Sequence, residues 1–524
     1  MGLFREVQAA ERQRDVGQNV ESVTAVLQTL SDATDEDIER LTVLGYTVLG
    51  AYGRFILVNA PATYFGDAEI GLAVLDFVTN ASLPPQTLTD ADLITNGTAA
   101  IGADEVWDLG YRGQGTVIAV IDDGFDLDNA DLANLSPSLY TISPSPDQIG
   151  SYAVDEGVAA QATEHGTSCA IIVGDVAPDA ELHLLSFPQG TQPLGWICAL
   201  HYATHVLQAD IVTTSMEMGA SYCHSDGTGP VNELVSAILE GTDTIFTIAS
   251  GNWASGGPSA RWHYEATFLD TDGDNNHDFT ANASGAWDRN TLRFSANKDD
   301  EIIIFMEWDD WDVAAHREDF DLYILDGTYG IVVAESKAQQ YGGTGNPTEG
   351  IYQGFTVPAT GDYCIRIRNN AVATYGEDAR AVHINLYAFN QSNAFGTVEH
   401  TNACGSIREI ATHPLAIAVG AVSPDDWQVR AYSSRGAVDC SLVKPELYGP
   451  DGVTGTAYDL FYGTSAAAPY VAGALALLRS LDPDITADQA VAILQATAVT
   501  SEDDCGNTVY AIDVPAAIQE LLKE

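Results

Sequence analysis

Four continuous apolar runs, each broken off by a turn and separated by helical patterns, leave this chain few architectures. GTVIAVIDDG, ELHLLSF, ADIVTTSM and TIFTIASGN carry hydrophobic side chains at successive positions, as strands do when both faces of a parallel sheet are covered. Between them, LGWICALHYATHVLQ and GPVNELVSAILEG repeat their apolar residues at helical spacing. Alternating β and α predicts a doubly wound, mostly parallel sheet, with ligands bound beyond the carboxyl ends of the strands. The same style resumes at HPLAIAVGAV and runs to the end of the chain.

Two regions depart from it. Residues 21–84 read as a small α+β domain, with ESVTAVLQTL as a strand, DATDEDIERLTVLG as a helix with a capping acid, and GYTVLGAYGRFILVNA as two strands around a turn. A short helix near 67–74 and a strand at VLDFVTN complete the pattern. From 270 to 390, segments such as EIIIFMEWD, FDLYILD, GDYCIRIRN and VHINLYAF follow one another with Gly, Asp and Asn turns and no intervening helix. They predict an all-β sandwich inserted into the α/β domain. The expected order is a tail (1–20), the small domain (21–84), a linker (85–100), the first α/β part (101–269), the sandwich (270–390) and the second α/β part (391–524). A length of 524 residues accommodates that number of units.

The net charge of −53, from 74 acids against 21 bases, repels nucleic acid and anionic membrane. Neither is an expected partner, and the acidity reads as a solubility adaptation tolerable at high ionic strength. No apolar run is long enough to predict a transmembrane helix. The opening MGLFREVQAAERQRDVGQNV lacks the apolar core of a secretory signal. That leaves a cytoplasmic protein, or an extracellular one if the true start lies upstream. The seven cysteines include no CxxC and no cluster at zinc spacing.

Four residues carry the chemistry. Asp122 ends the strand of AVIDDG; His165 opens the small-residue helix of EHGTSCAIIVG; Asn252 follows TIASG; Ser465 begins the helix of YGTSAAAPYVAGALALL, which is apolar all round and tolerates Pro469 in its first turn. Acyl transfer needs this set. A serine hydroxyl requires a base, a histidine supplies one near neutral pH, and a carboxylate fixes the imidazole. The tetrahedral oxyanion requires prepositioned donors.

In that order the segments VIDDGFD, HGTSCA, VAPDAELHLLS, ASGN and GTSAAAPYVAG, with YSSRGAVDCSLVKPELYGPDG before the last, resemble the signature blocks of the subtilisin-like (subtilase) serine peptidases. The resemblance implies Asp122 as orienting acid, His165 as general base, Ser465 as nucleophile and Asn252 as oxyanion donor. It also implies a specificity pocket containing Ser215, Met216, Glu217 and Gly251, in which the carboxylate of Glu217 would favour a basic residue before the scissile bond. Residues 21–84 are similar to the family's inhibitory propeptide, which implies a zymogen whose own N-terminal region is a partner. The substrates implied are proteins or peptides, the enzyme a monomer, and the chemistry free of any diffusible cofactor. Ala466, Tyr470 and Ser168 depart from the family's usual residues at non-triad positions.

Other readings stay open. Asp270, Asp272, Asp274 and Asp278 alternate like a structural calcium loop, but Asn275 and Ala281 stand where an EF-hand has Gly and Glu, so an acidic turn fits equally and no metal ligand is assigned. The competing function is an inactive scaffold whose sandwich binds a partner. An esterase of the α/β-hydrolase kind would need a GxSxG elbow, which the sequence lacks.

Overall fold

The computed structural model describes residues 23–29, 33–52, 55–60, 78–82, 97–145, 151–218, 224–254, 260–280, 289–311, 318–340, 346–371, 382–436, 443–454, 457 and 460–523. The expected tail and the helix near 67–74 lie outside them. At the centre is a sheet of ten strands, ordered in space Val499–Glu502, Thr508–Ala511, Leu447–Pro450, Ala416–Val422, Ile245–Ala249, Ile211–Thr214, Val117–Ile121, Glu181–Ser186, Ser138–Pro144 and Tyr152–Glu156. All neighbouring pairs are parallel except the hairpins at the two edges. The doubly wound expectation therefore holds, and the apolar runs are the buried inner strands.

Two helices on one face, Glu164–Val176 and Thr464–Leu481, pack together within one core. Every residue from Thr464 to Arg479 is buried, which explains a helix with no polar face.

The inserted unit is a sandwich of two four-stranded antiparallel sheets. One contains Arg261–Thr267, His383–Asn390, Glu301–Trp308 and Thr348–Thr356; the other contains Leu292–Ala296, Gly361–Asn369, Phe320–Asp326 and Val332–Ser336. The expected boundary at 270 is late. Arg261–Thr267 pairs along its length with His383–Asn390, so the sandwich takes its first strand from RWHYEAT. The strand Glu301–Trp308 shows how the unit is seated. Ile302, Ile304 and Met306 enter the sandwich core, whereas Ile303 and Phe305 join Tyr387 and Trp253 in a second apolar cluster against the α/β part.

In the N-terminal unit the strands lie in the order Thr47–Tyr52, Phe55–Ala60, Val23–Thr29, Val78–Ser82. The helix Asp35–Val43 is capped by Thr34, which exchanges hydrogen bonds with Asp37, rather than by an acid. Leu57 is fully buried in the core cluster that also holds Ile142, Leu194 and Trp196, so this unit packs on the α/β part. Cys404 and Cys505 form a disulfide; Cys169, Cys198 and Cys364 are free and buried, and Cys223 and Cys440 lie outside the described residues. No helix of the described residues is long and apolar enough to cross a membrane.

Candidate active site

Asp122 follows the strand Val117–Ile121 and is fully buried. Its carboxylate faces His165, with Nδ1 at 2.9 Å from Oδ2 and 3.1 Å from Oδ1. The helix of His165 is tied to the loop after Asp122 at several points. Thr163 Oγ1 donates to the Gly124 carbonyl at 2.6 Å, and Thr167 Oγ1 accepts from Asp126 N at 2.7 Å. Gly166 lets the two backbones meet, since a Cβ there would sit 2.1 Å from the Gly124 carbonyl oxygen. The same Cβ would stand 2.8 Å from Asp122 Cβ, so a larger residue there would also displace the carboxylate.

Burial alone would lower the His165 pKa, but the charge and hydrogen bond of Asp122, with the charge of Asp123, outweigh it and hold the imidazole above its ordinary value. Asp123 is itself raised to about 7, by burial and then by the adjacent charge of Asp122. Its Oδ2 accepts from Gln161 Nε2 at 3.0 Å.

Ser465 is the second residue of the helix Thr464–Leu481. Pro469 lies in the second turn rather than the first, and the cause of its tolerance is visible. Having no N–H, it leaves the Ser465 carbonyl without its helical donor. Ser215 Oγ donates to that carbonyl at 3.1 Å, and Cys169 Sγ lies 3.5 Å from it. Cys169 is one turn beyond His165, and its sulfur is within 4.8 Å of ligand atoms of both Asp122 and His165. Cys169 thus touches both halves of the site and brings the imidazole and the serine to one rim of the sheet. His165 Nε2 and Ser465 Oγ are buried and have no hydrogen bond among the described residues. These are the two atoms between which a serine hydrolase moves its proton. The ring of Phe461 packs against the imidazole at 5.6 Å between centroids.

Asn252 joins the same rim. Its Oδ1 accepts from Thr464 N at 3.0 Å and from Thr464 Oγ1 at 3.3 Å, next to Ser465. The amide is therefore pinned by its oxygen, and its Nδ2 makes no hydrogen bond among the described residues. Gly463, at φ 112°, keeps that side open, because a Cβ there would stand 3.0 Å from Nδ2.

The residues expected to line the specificity pocket each have partners within the chain. Ser215 satisfies the Ser465 carbonyl, and Met216 is buried in the core. Gly251 donates its N–H to Thr464 Oγ1 at 3.1 Å. Glu217 accepts from Trp253 Nε1 at 2.5 Å and from Arg408 Nη1 at 3.3 Å. A carboxylate that already holds a guanidinium of its own chain gives no ground for a preference for basic substrate residues. Burial lifts it to about 7, with Arg408 opposing the rise.

In the acidic loop, carboxylates of Asp270, Asp272 and Asp274 come within 4.8 Å of one another. Asp272 pairs with Arg289 at 2.8 Å, and Asp278 is turned to Thr271 at 2.7 Å instead of completing the set. The sequence reading passed over Thr464, Cys169, Arg408 and Asp451, the last of which accepts from Gly463 N at 2.9 Å and anchors the turn before Ser465. Only Asp451 had a visible signal, the acid of YGPDG.

The profile of the subtilase family matches residues 371–511, a segment that contains Ser465 and the disulfide but not Asp122, His165 or Asn252. Subtilisin E of Bacillus subtilis (strain 168) and subtilisin J of Geobacillus stearothermophilus are each 33% identical over 130 residues, covering 24% of this chain and 32% of theirs. The match thus spans about a third of the length of these curated relatives. Among solved structures, the CspB protease of Clostridium perfringens superposes with a TM-score of 0.54 at 14% identity, covering 82% of this chain and 99% of that one. At that identity the likeness is one of fold. Fold, matched segment and the curated relatives agree that the chain is subtilisin-like, with residues 371–511 matching the subtilase family.

Proposed function

We propose that the chain is a serine endopeptidase that hydrolyses peptide bonds through an acyl-enzyme, with Ser465 as nucleophile, His165 as general base and acid, and Asp122 as the carboxylate that orients it. One observation carries the reading. The imidazole is fixed by Asp122 through Nδ1, while Nε2 and Ser465 Oγ stay buried without hydrogen bonds on the same rim. Leaving two buried polar atoms unpaired costs stability, and a site that moves a proton between them is a reason to bear that cost. In the reaction Ser465 attacks the scissile carbonyl while His165 Nε2 takes its proton. The oxyanion receives Asn252 Nδ2 and the backbone N–H of Ser465, and His165 returns the proton to the leaving amine. No diffusible cofactor enters this scheme.

The N-terminal α+β unit is proposed as the inhibitor of a zymogen. Its support is the apolar seam through Leu57 and the close approach of Gly50 to Pro144, where an added Cβ would stand 2.4 Å away. Protein or peptide substrates and a monomeric enzyme complete the reading; the charge of −53 disfavours nucleic acid and anionic membrane.

The test is labelling with a fluorophosphonate probe, alongside Ser465→Ala. Labelling of the parent chain only, with self-cleavage between 83 and 104, is expected. No labelling of either form would favour the inactive scaffold.

A further inference from the structure

The sandwich meets the candidate site around a buried cation, Arg408, with a second, Arg261, lying 5.1 Å from the ring centre of Trp253. The Arg408 side chain is 2% exposed and lies in a cage of three aromatic rings, with its guanidinium carbon 4.5 Å from the ring centre of Phe305, 5.0 Å from Tyr387 and 5.4 Å from Trp253. Phe305 and Tyr387 belong to the sandwich strands Glu301–Trp308 and His383–Asn390, and Trp253 directly follows Asn252. Phe305 and Tyr387 stack at 5.2 Å, and Trp253 meets both edge-on at 5.5 and 5.4 Å. A planar guanidinium suits such a cage, and burying its charge is costly unless it is paired.

Its partners lead to the rim. One guanidinium nitrogen reaches Glu217 at 3.3 Å, and Glu217 holds the Trp253 indole N–H through its other oxygen. A second nitrogen pairs with Glu409, whose other oxygen accepts from Met218 N at 2.5 Å. The strand end 215–218 and the turn 251–253 are thus both fastened to Arg408. Glu307, also on the sandwich, accepts from Ser225 Oγ; burial lifts it to about 7, and the charge of Arg408 opposes that rise.

We infer that Arg408 is a positioning residue for the oxyanion side of the site: clamped by sandwich aromatics, it fixes Glu217 and Trp253, and through Trp253 the amide of Asn252. The inference rests on the peptidase reading and adds to it a role for the insert. The sandwich supplies one wall of the cage that orients an oxyanion donor.

Steady-state kinetics of the full chain on a peptide substrate test it, with Arg408→Lys, Phe305→Leu, Asn252→Ala and the double variant Arg408→Lys/Asn252→Ala. Lysine keeps the charge and loses the planar fit, so kcat is expected to fall about tenfold with KM within about twofold. Phe305→Leu leaves every charge in place and is expected to lower kcat about threefold. Asn252→Ala removes an oxyanion donor and lowers kcat about 10²–10³-fold, after which Arg408→Lys is expected to cost less than about twofold more. A purely structural role would lower melting temperature and multiply with Asn252→Ala instead. Unchanged kcat in folded Arg408→Lys and Phe305→Leu, or losses that multiply in full, overturns the inference alone. If Arg408→Lys does not fold, Phe305→Leu and its double with Asn252→Ala decide. A parent chain that takes no probe and turns over no substrate overturns the peptidase reading, and this inference with it.

Discussion

The rim of the α/β sheet and the pocket around Glu349 in the sandwich both bury charged side chains, and these two places treat them in opposite ways. In the sandwich, Glu349 is 2% exposed and its carboxylate is filled by the Ser336 hydroxyl, the Ala338 N–H at 2.9 Å and Gln340 Nε2 at 2.9 Å. Asp319 is likewise met by Gln340 N at 3.1 Å and Asn370 Nδ2 at 3.2 Å. At the rim of the α/β sheet, His165 Nε2, Ser465 Oγ and one oxygen of Asp123 are buried and unmatched among the described residues. Complete pairing makes a rigid wall, and withheld pairing leaves groups ready to react. The same chemistry of burial thus separates a supporting pocket from a reactive rim.

The contrast can be broken most sharply at the base. His165→Ala is expected to lower kcat/KM by about 10⁴-fold or more while the fold survives, because only the reacting proton acceptor is lost. A variant with near-parent turnover of a peptide substrate would mean that the unpaired atoms at the rim do no chemistry. Ser215→Ala probes a paired atom at the same rim. Losing one donor to the Ser465 carbonyl costs about 1 kcal/mol, or about fivefold in kcat if the helix start shifts with it. Cys169 still lies against that carbonyl, so a much larger loss would give Ser215 a direct part in the reaction.

A subtler probe is pH. His165 must be neutral to act as base, and its folded pKa is raised, so the acid limb of kcat/KM should lie above about 6.5. Asp123 contributes to that rise, and Asp123→Asn is expected to move the limb to lower pH. An unmoved limb would show that Asp122 alone sets the base. The smallest effect lies in the sandwich, on stability. Burial raises Glu349 to about 8, so the folded state keeps a proton that the unfolded chain releases above about 4.3. Its contribution is present in full at low pH and is lost as pH climbs through 8. Glu349→Gln should therefore raise the melting temperature at pH 8 and leave it nearly unchanged at pH 4; an equal shift at both pH values would refute the assignment.

Much of this was legible in the sequence. Continuous apolar runs announced the inner strands, and the positions of Asp122, His165, Asn252 and Ser465 at strand ends and helix starts announced one rim. What stayed hidden depended on contacts between distant segments. Glu217 looked like a pocket acid because Arg408, 191 residues away, carries no local pattern that pairs the two. Asp319 and Asp321 stand two apart in FDLYILD and just before it, as charges on a solvated strand face would, yet both are buried: Asp319 is met by Gln340 and Asn370 from distant segments, and Asp321 by the Tyr323 hydroxyl of its own strand. The first strand of the sandwich was missed because RWHYEAT directly precedes the acidic loop that looked like the boundary. EIIIFMEW is itself apolar at successive positions in an antiparallel unit. A strand solvated on one face would alternate, so that run already signalled a second covered face.

The place of the insert has a further consequence for how the chain assembles. Ile245–Ala249 and Ala416–Val422 are immediate neighbours in the central sheet, in register from Phe246 with Ala416 to Ala249 with Val419. Every residue of the sandwich lies in the loop between them. While that loop is an open coil, closing it carries a chain-entropy penalty that grows with its length. Once the sandwich has collapsed, its terminal strands Arg261–Thr267 and His383–Asn390 lie paired side by side, and most of the gap is already bridged. The insert is then a staple whose closing precedes the sheet's. A destabilised sandwich would be felt first as slow maturation of the whole chain.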